Sequence, residues 1–137
     1  MAVGVVPIAG AGFGMIDQSY ALGVAQDRNN TYQTGIAAAV TTGSATGATQ
    51  LAAGSAFYSI DTSTGTNNDS ILLPPALAGM QVQVFNNTAN TIDVFGTTQA
   101  STQDKINNVT TAFALTTYQS ATFTCAKAAQ WAGNKSA

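Results

Sequence analysis

The 137-residue chain contains no histidine and no glutamate, and its only cysteine is Cys125. Without histidine, neither a Ser-His-Asp nor a Cys-His catalytic arrangement can form. Structural and catalytic zinc sites are built mainly from cysteine and histidine, which this chain barely has. A single cysteine also excludes an intrachain disulfide. The sequence therefore predicts a protein that is not an enzyme and that has no cofactor and no metal centre.

Charged side chains are also scarce, at 7% of the residues against about 25% in ordinary globular proteins. Four residues are lysine or arginine, six are aspartate, and the net charge is −2. Nucleic-acid binding needs clustered lysine and arginine to neutralise phosphates, so we predict no nucleic-acid partner. A surface with so few charges is poorly protected from self-association, which favours a protein that works packed in an assembly.

Residues 1–35 differ from the rest and are predicted to form an N-terminal arm, extended or partly helical. The arm begins with an apolar, glycine-rich stretch that contains Pro7 and no lysine or arginine. This composition matches neither a secretory signal nor a membrane-spanning helix, so we predict no membrane partner. The large apolar side chains of the arm are the candidates for contact with another protein surface or with other subunits. They are Val3, Val5, Val6, Ile8, Phe13 and Ile16.

Residues 36–137 are predicted to form an all-β domain, a β-sandwich or jelly-roll-like fold of about eight short strands. The alternation is clearest in residues 80–85, where Met80, Val82 and Val84 share one face and glutamines share the other. Residues 91–95 are predicted to pair with that strand as a hairpin, with Asp93 pointing outward. Residues 96–108 are expected to be a long polar loop.

Few side chains remain as candidates for chemistry. Asp104 and Lys105 are the one adjacent pair of opposite charges late in the chain. They are interpreted either as an acid/base pair or as a salt bridge or polar clamp within the loop, and the second interpretation is favoured because the other catalytic groups are missing. Cys125 alternates with threonines, which predicts an inward-facing small apolar residue. Trp131 is predicted to close the core.

An ordered series of short motifs runs through residues 32–131. Its main members are Asp-Ser-Ile-Leu-Leu-Pro-Pro-Ala at 69–76, Asn-Thr-Ile-Asp-Val-Phe at 90–95, Asp-Lys-Ile-Asn at 104–107, Ala-Thr-Phe-Thr-Cys-Ala at 121–126 and Gln-Trp at 130–131. In this order the chain resembles a family of small virion proteins of tailed bacteriophages. The resemblance implies a β-sandwich domain, trimeric and displayed on the particle, and it leaves out the first thirty or so residues.

The resemblance leads us to expect a non-enzymatic bacteriophage virion structural protein, namely a capsid decoration (cement) protein. Its partners would be the major capsid protein and further copies of itself in a homotrimer. It would be made in the cytoplasm of the host bacterium and located on the capsid surface of the virion. The alternative is a head-fibre or tail-associated module that binds host glycans. The polar loops at residues 61–69 and 96–108 motivate that alternative.

Overall fold

The computed structural model describes residues 32–41, 43–65 and 68–137, and within these ranges every regular element is a β-strand. The all-β prediction is therefore confirmed. The first strand begins at Tyr32, ahead of the boundary that the sequence predicts at residue 36. The predicted arm, apart from its last few residues, lies outside the described residues.

The described chain forms twelve strands. They are β1 (Tyr32–Ala37), β2 (Thr49–Gln50), β3 (Phe57–Thr62), β4 (Asp69–Leu72), β5 (Gln81–Asn86), β6 (Ile92–Phe95), β7 (Thr98–Gln99), β8 (Thr102–Gln103), β9 (Lys105–Ile106), β10 (Phe113–Leu115), β11 (Ser120–Lys127) and β12 (Gln130–Lys135). One sheet has six strands in the order β1-β3-β5-β11-β12-β9, and a second has four in the order β10-β6-β4-β2. Strands β7 and β8 form a small ribbon.

From β1 to β6 the chain alternates between the two large sheets, and each strand pairs in parallel with the strand one turn away. Phe57 lies opposite both Tyr32 and Gln83. In the other sheet Ile71 lies opposite both Thr49 and Val94. This winding is a short β-solenoid, and we call residues 32–95 the wound segment.

The predicted sandwich or jelly-roll connectivity is therefore wrong, and so is the predicted hairpin, since β5 and β6 belong to different sheets. The physical reason is that alternation fixes only which face of a strand is buried. A strand of a hairpin and a strand of a solenoid present the same alternation. Parallel neighbours need a long crossover, and here the crossover is a strand of the opposite sheet.

The core lies between the two large sheets. The six-stranded sheet contributes Tyr58, Ile60, Val84 and Phe123, all fully buried. The four-stranded sheet contributes its own buried aliphatic side chains to the same cluster, namely Ile71, Ile92, Val94 and Leu115. Cys125 is buried as predicted. Burial of this apolar surface is the main favourable term that holds the two sheets together.

Residues 96–137, which we call the closing segment, end the winding. Strand β10 pairs antiparallel with β6, and β11 pairs antiparallel with β5 and with β12. The predicted polar loop at 96–108 is wrong in part, because it contains the short strands β7, β8 and β9. These strands are too short to give an alternation that a sequence pattern can reveal.

Asn86 joins the two segments at the end of β5. Its side chain is fully buried. The amide nitrogen Nδ2 donates to the carbonyl oxygens of Asn90 at 2.7 Å, Leu115 at 3.0 Å and Thr116 at 3.0 Å. The amide oxygen accepts hydrogen bonds from the backbone and the hydroxyl of Thr88. Buried polar groups must be paired, and here one side chain bonds the buried Leu115 carbonyl together with two partly buried ones.

Candidate functional site

Asp104 and Lys105 do not form the expected pair. The Asp104 side chain is 1% exposed and accepts a hydrogen bond from the backbone N–H of Ala76 at 2.8 Å. Gln99 Nε2 lies 2.8 Å from both of its carboxylate oxygens. Lys105 points to solvent from β9, and within the described ranges it takes part in no ion pair. Asp104 thus holds the chain after Pro75 against the ribbon, and the two residues have no acid/base geometry.

Trp131 lies on β12 and is fully buried in the core cluster. It shares a register position with the buried Ile106 of β9. Its indole Nε1 is buried and has no hydrogen-bond partner among the described residues. Because the ring is inside the core, it is not available to stack on a ligand at the surface.

Asp61 ties three neighbouring strands of the six-stranded sheet together. Its carboxylate accepts hydrogen bonds from the Gly35 backbone of β1, from Ser59 Oγ at 2.8 Å on β3, and from Asn87 Nδ2 at 2.7 Å just after β5. Gly35 has a φ of +70°, a conformation that glycine adopts without strain. The hydrogen bond from Asn87, helped by those from Gly35 and Ser59, lowers the pKa of Asp61 against a smaller opposing effect of burial.

Asp93 is in the opposite situation. The sequence predicts that its side chain points outward, and in the structure that side chain is only 3% exposed. Burial raises the pKa of this carboxyl group, and a hydrogen bond from Asn68 opposes the shift in part. In the described part of the chain, the acidic and cysteine side chains form no cluster of three or more that would hold a metal ion.

The tyrosines fall into two groups. Tyr58 is buried, and its hydroxyl donates to the carbonyl of Ala52 at 2.6 Å. Burial raises its pKa. Tyr32 and Tyr118 are 67% and 62% exposed. Only these two of the described tyrosines offer a ring face to a ligand.

An open groove of about 640 Å³ lies on the outer side of the six-stranded sheet, where β11, β12 and β9 run side by side. Its volume is within the ~300–1,000 Å³ of ordinary small-molecule sites. The lining residues are Asn107, Asn108, Thr124, Ala126, Lys127, Gln130, Trp131 and Ala132. No sequence pattern predicts this groove. Its residues come from separate strands that only the sheet order brings together, although Asn107 and Asn108 end one of the polar loops that motivated glycan binding.

The remaining site predictions concern Val3, Val5, Val6, Ile8, Phe13 and Ile16, which lie outside the described residues. The described ranges contain no helix long and apolar enough to cross a membrane. No protein-family model matches the chain, and no curated protein or solved structure matches it either.

Proposed function

We propose that the protein is a non-enzymatic structural protein of a bacteriophage virion. It acts as a capsid decoration (cement) protein that binds the outer surface of the major capsid lattice and stabilises the head. The ordered motif series between residues 32 and 131 supports the assignment to a phage particle. A β-solenoid core in place of the expected sandwich leaves the proposal intact, since either fold is a rigid scaffold.

The observation that carries the proposal is an uncharged patch on the outer face of the six-stranded sheet, where β5 and β11 run side by side. The register sets Gln83 beside Thr122 and Gln81 beside Thr124, and none of these side chains is buried in the described protein. Amide and hydroxyl groups form hydrogen bonds across an interface without the large desolvation cost of a charge. Interface cores are depleted in charged residues for this reason.

The stabilising mechanism is linkage. A protein that binds the assembled shell and not the free subunits favours the shell by mass action, by about 2.7 kcal/mol per site at a hundredfold excess over Kd. In this proposal the apolar side chains Val3, Val5, Val6, Ile8, Phe13 and Ile16 add contacts to the capsid or to sister subunits in a homotrimer.

Occupancy on purified heads tests the proposal. A double variant with Gln83→Lys and Thr122→Lys puts two charges on the outer face, and we expect occupancy to fall at least tenfold. The matched control, Thr98→Lys with Thr102→Lys, adds two charges on the exposed ribbon and should bind normally. Equal occupancy of the two variants would exclude this face.

Deletion of residues 2–16 tests the arm separately, and undiminished binding would remove the arm from the mechanism. Absence of the wild-type protein from purified particles would overturn the whole proposal.

A second candidate function is a head-fibre or tail-associated module that binds host glycans. The groove between β11, β12 and β9 favours it, because the groove is open and lined by amide and hydroxyl side chains. Glycan-array binding by the purified protein would support this function, and a blank array would remove it.

A further inference from the structure

Some amide atoms of the groove form hydrogen bonds within the protein, and others are left to bind a ligand. Asn107 is engaged on both sides, since its Nδ2 donates to the Gly133 carbonyl at 3.1 Å and its Oδ1 accepts from the Gly133 N–H at 2.9 Å. Gln130 Nε2 donates to Asn108 Oδ1 at 2.9 Å. Within the described ranges this leaves Asn108 Nδ2 as a donor and Gln130 Oε1 as an acceptor with no protein partner.

The hydrogen bond between Gln130 and Asn108 fixes the two amides relative to each other. The groove wall therefore presents one donor and one acceptor that need no reorganisation before a ligand binds, which reduces the entropic cost of binding. Two adjacent hydroxyl groups on a sugar ring, each able to donate and to accept, match such a pair.

Lys127 is the only ionisable side chain that lines the groove. It is exposed at the end of β11, where the register of β11 against β12 shifts between Thr124 and Lys127. Its ammonium group takes part in no ion pair in the described part of the chain. The groove is therefore locally positive on a chain of net charge −2, and it favours a ligand that carries an anionic group.

The groove also contains small side chains from neighbouring strands. Ala132 of β12 lies opposite Thr124 of β11, and Ala126 follows along the same strand. Their methyl groups give a narrow apolar strip that the C–H face of a sugar ring can cover. No aromatic side chain on the groove surface adds stacking energy, because Trp131 is fully buried.

We propose that the groove binds an acidic saccharide, with a uronic acid as the simplest unit. The carboxylate pairs with Lys127, two ring hydroxyls pair with Asn108 and Gln130, and the ring lies over the alanine methyl groups. The inference rests on the second of the two proposed functions and names its ligand class.

Titration of the full-length protein by NMR tests this inference, with three probes: methyl β-glucuronide, its neutral counterpart methyl β-glucoside, and acetate. We expect methyl β-glucuronide to shift the side-chain amide signals of Asn108 and Gln130 with a Kd of about 1 mM. Both other probes should bind at least tenfold more weakly, because the glucoside lacks the carboxylate and acetate lacks the ring hydroxyls. No shift up to about 50 mM glucuronide, or acetate binding as tightly as glucuronide, would overturn the inference.

Matched variants locate the site. Lys127→Gln should weaken glucuronide binding at least tenfold and bring it close to that of the glucoside. Lys135→Gln removes the same charge from the far end of the adjacent strand β12 and should leave Kd unchanged. Equal weakening by both variants would mean a general charge effect and would contradict a defined site. If a glycan array shows binding to neutral glycans only, and Lys127→Gln does not change that binding, the glycan-binding function stands and the acidic ligand class is rejected. A blank array would reject both.

Discussion

The wound segment and the closing segment contain similar strands, but the strands pair in opposite directions. Strands β1 to β6 pair with one another only in parallel, so their backbone hydrogen bonds join successive turns. Strands β10 and β11 reverse direction and pair antiparallel with the last turn. The last turn of a solenoid leaves an open edge, and a terminal unit of different structure is needed to close it. The end of the repeat, where pairing changes direction, therefore needs side chains that the repeat itself does not.

Asn86 is the clearest such side chain, and its removal should give the largest effect. Asn86→Ala removes the side-chain donor to the buried Leu115 carbonyl and the acceptor of the buried Thr88 N–H. Each unpaired buried group costs about 1–3 kcal/mol, so we expect a loss of about 3 kcal/mol or more. Urea denaturation at pH 7 measures it. The control Asn134→Ala changes an exposed asparagine of β12 and should stay within about 0.5 kcal/mol of wild type. Similar stabilities for the two variants would contradict the junction role of Asn86.

Gly96→Ala tests the closing segment by itself. A Cβ atom at residue 96 would lie 2.2 Å from the backbone oxygen of Asp104, and backbone cannot rotate away as a side chain does. We expect a loss of about 2 kcal/mol. Hydrogen exchange should show faster exchange at Ile106 of β9 than at Tyr58 of β3, relative to wild type. Uniform acceleration in both segments would mean that they do not loosen separately.

Asp61→Asn tests the wound segment by itself. The folded state lowers the pKa of Asp61, so the ionised form contributes stability above its ordinary pKa and that contribution is lost as pH falls through the folded value. Because solvent screens this partly exposed carboxylate, we expect the variant to be less stable than wild type by at most about 1 kcal/mol at pH 7. The difference should shrink steadily below about pH 3.9. Denaturation at pH 7 and in this acid range measures both values, and a pH-independent difference would contradict the mechanism.

Asp93→Asn should give the smallest change, in the opposite direction. Burial raises the pKa of Asp93, so the folded state disfavours its ionised form. Its contribution to stability is full below the ordinary pKa and declines as pH rises through the raised value. The neutral amide removes this penalty, and we expect a gain of about 0.5 kcal/mol at pH 7 that vanishes in acid. Asp93→Asn and Asp61→Asn are expected to change the free energy of unfolding at pH 7 in opposite directions. Destabilisation by both variants would contradict the opposite pKa shifts of the two carboxyl groups.

Strand positions were predictable because burial alternates along a strand. Val82 and Val84 are buried and Gln81 and Gln83 are exposed, as the pattern of residues 80–85 indicates. The inward position of Cys125 followed from the same reasoning. A local pattern of this kind needs no knowledge of the partner strand, so a single sequence is enough to reveal it.

The partner strands and the candidate site were not predictable. Asp104 and Lys105 are adjacent in sequence, but consecutive residues of an extended chain point to opposite sides. Asp104 therefore meets Ala76 and Gln99, while Lys105 faces solvent. The groove depends on the placement of β9 beside β12, a pairing of only two residue positions that no periodicity signals.

By itself, the sequence determined an all-β chain, the faces its main strands bury, and a surface nearly free of charge, because these properties follow from composition and local alternation. Only the tertiary structure decided that the strands wind as a solenoid, that Asn86 joins the winding to its closure, and that the pKa of Asp61 is lowered while that of Asp93 is raised. The physical reason is that strand pairing, burial of a polar group and its hydrogen-bond partners depend on residues distant in sequence. Those residues come together only when the sheets form.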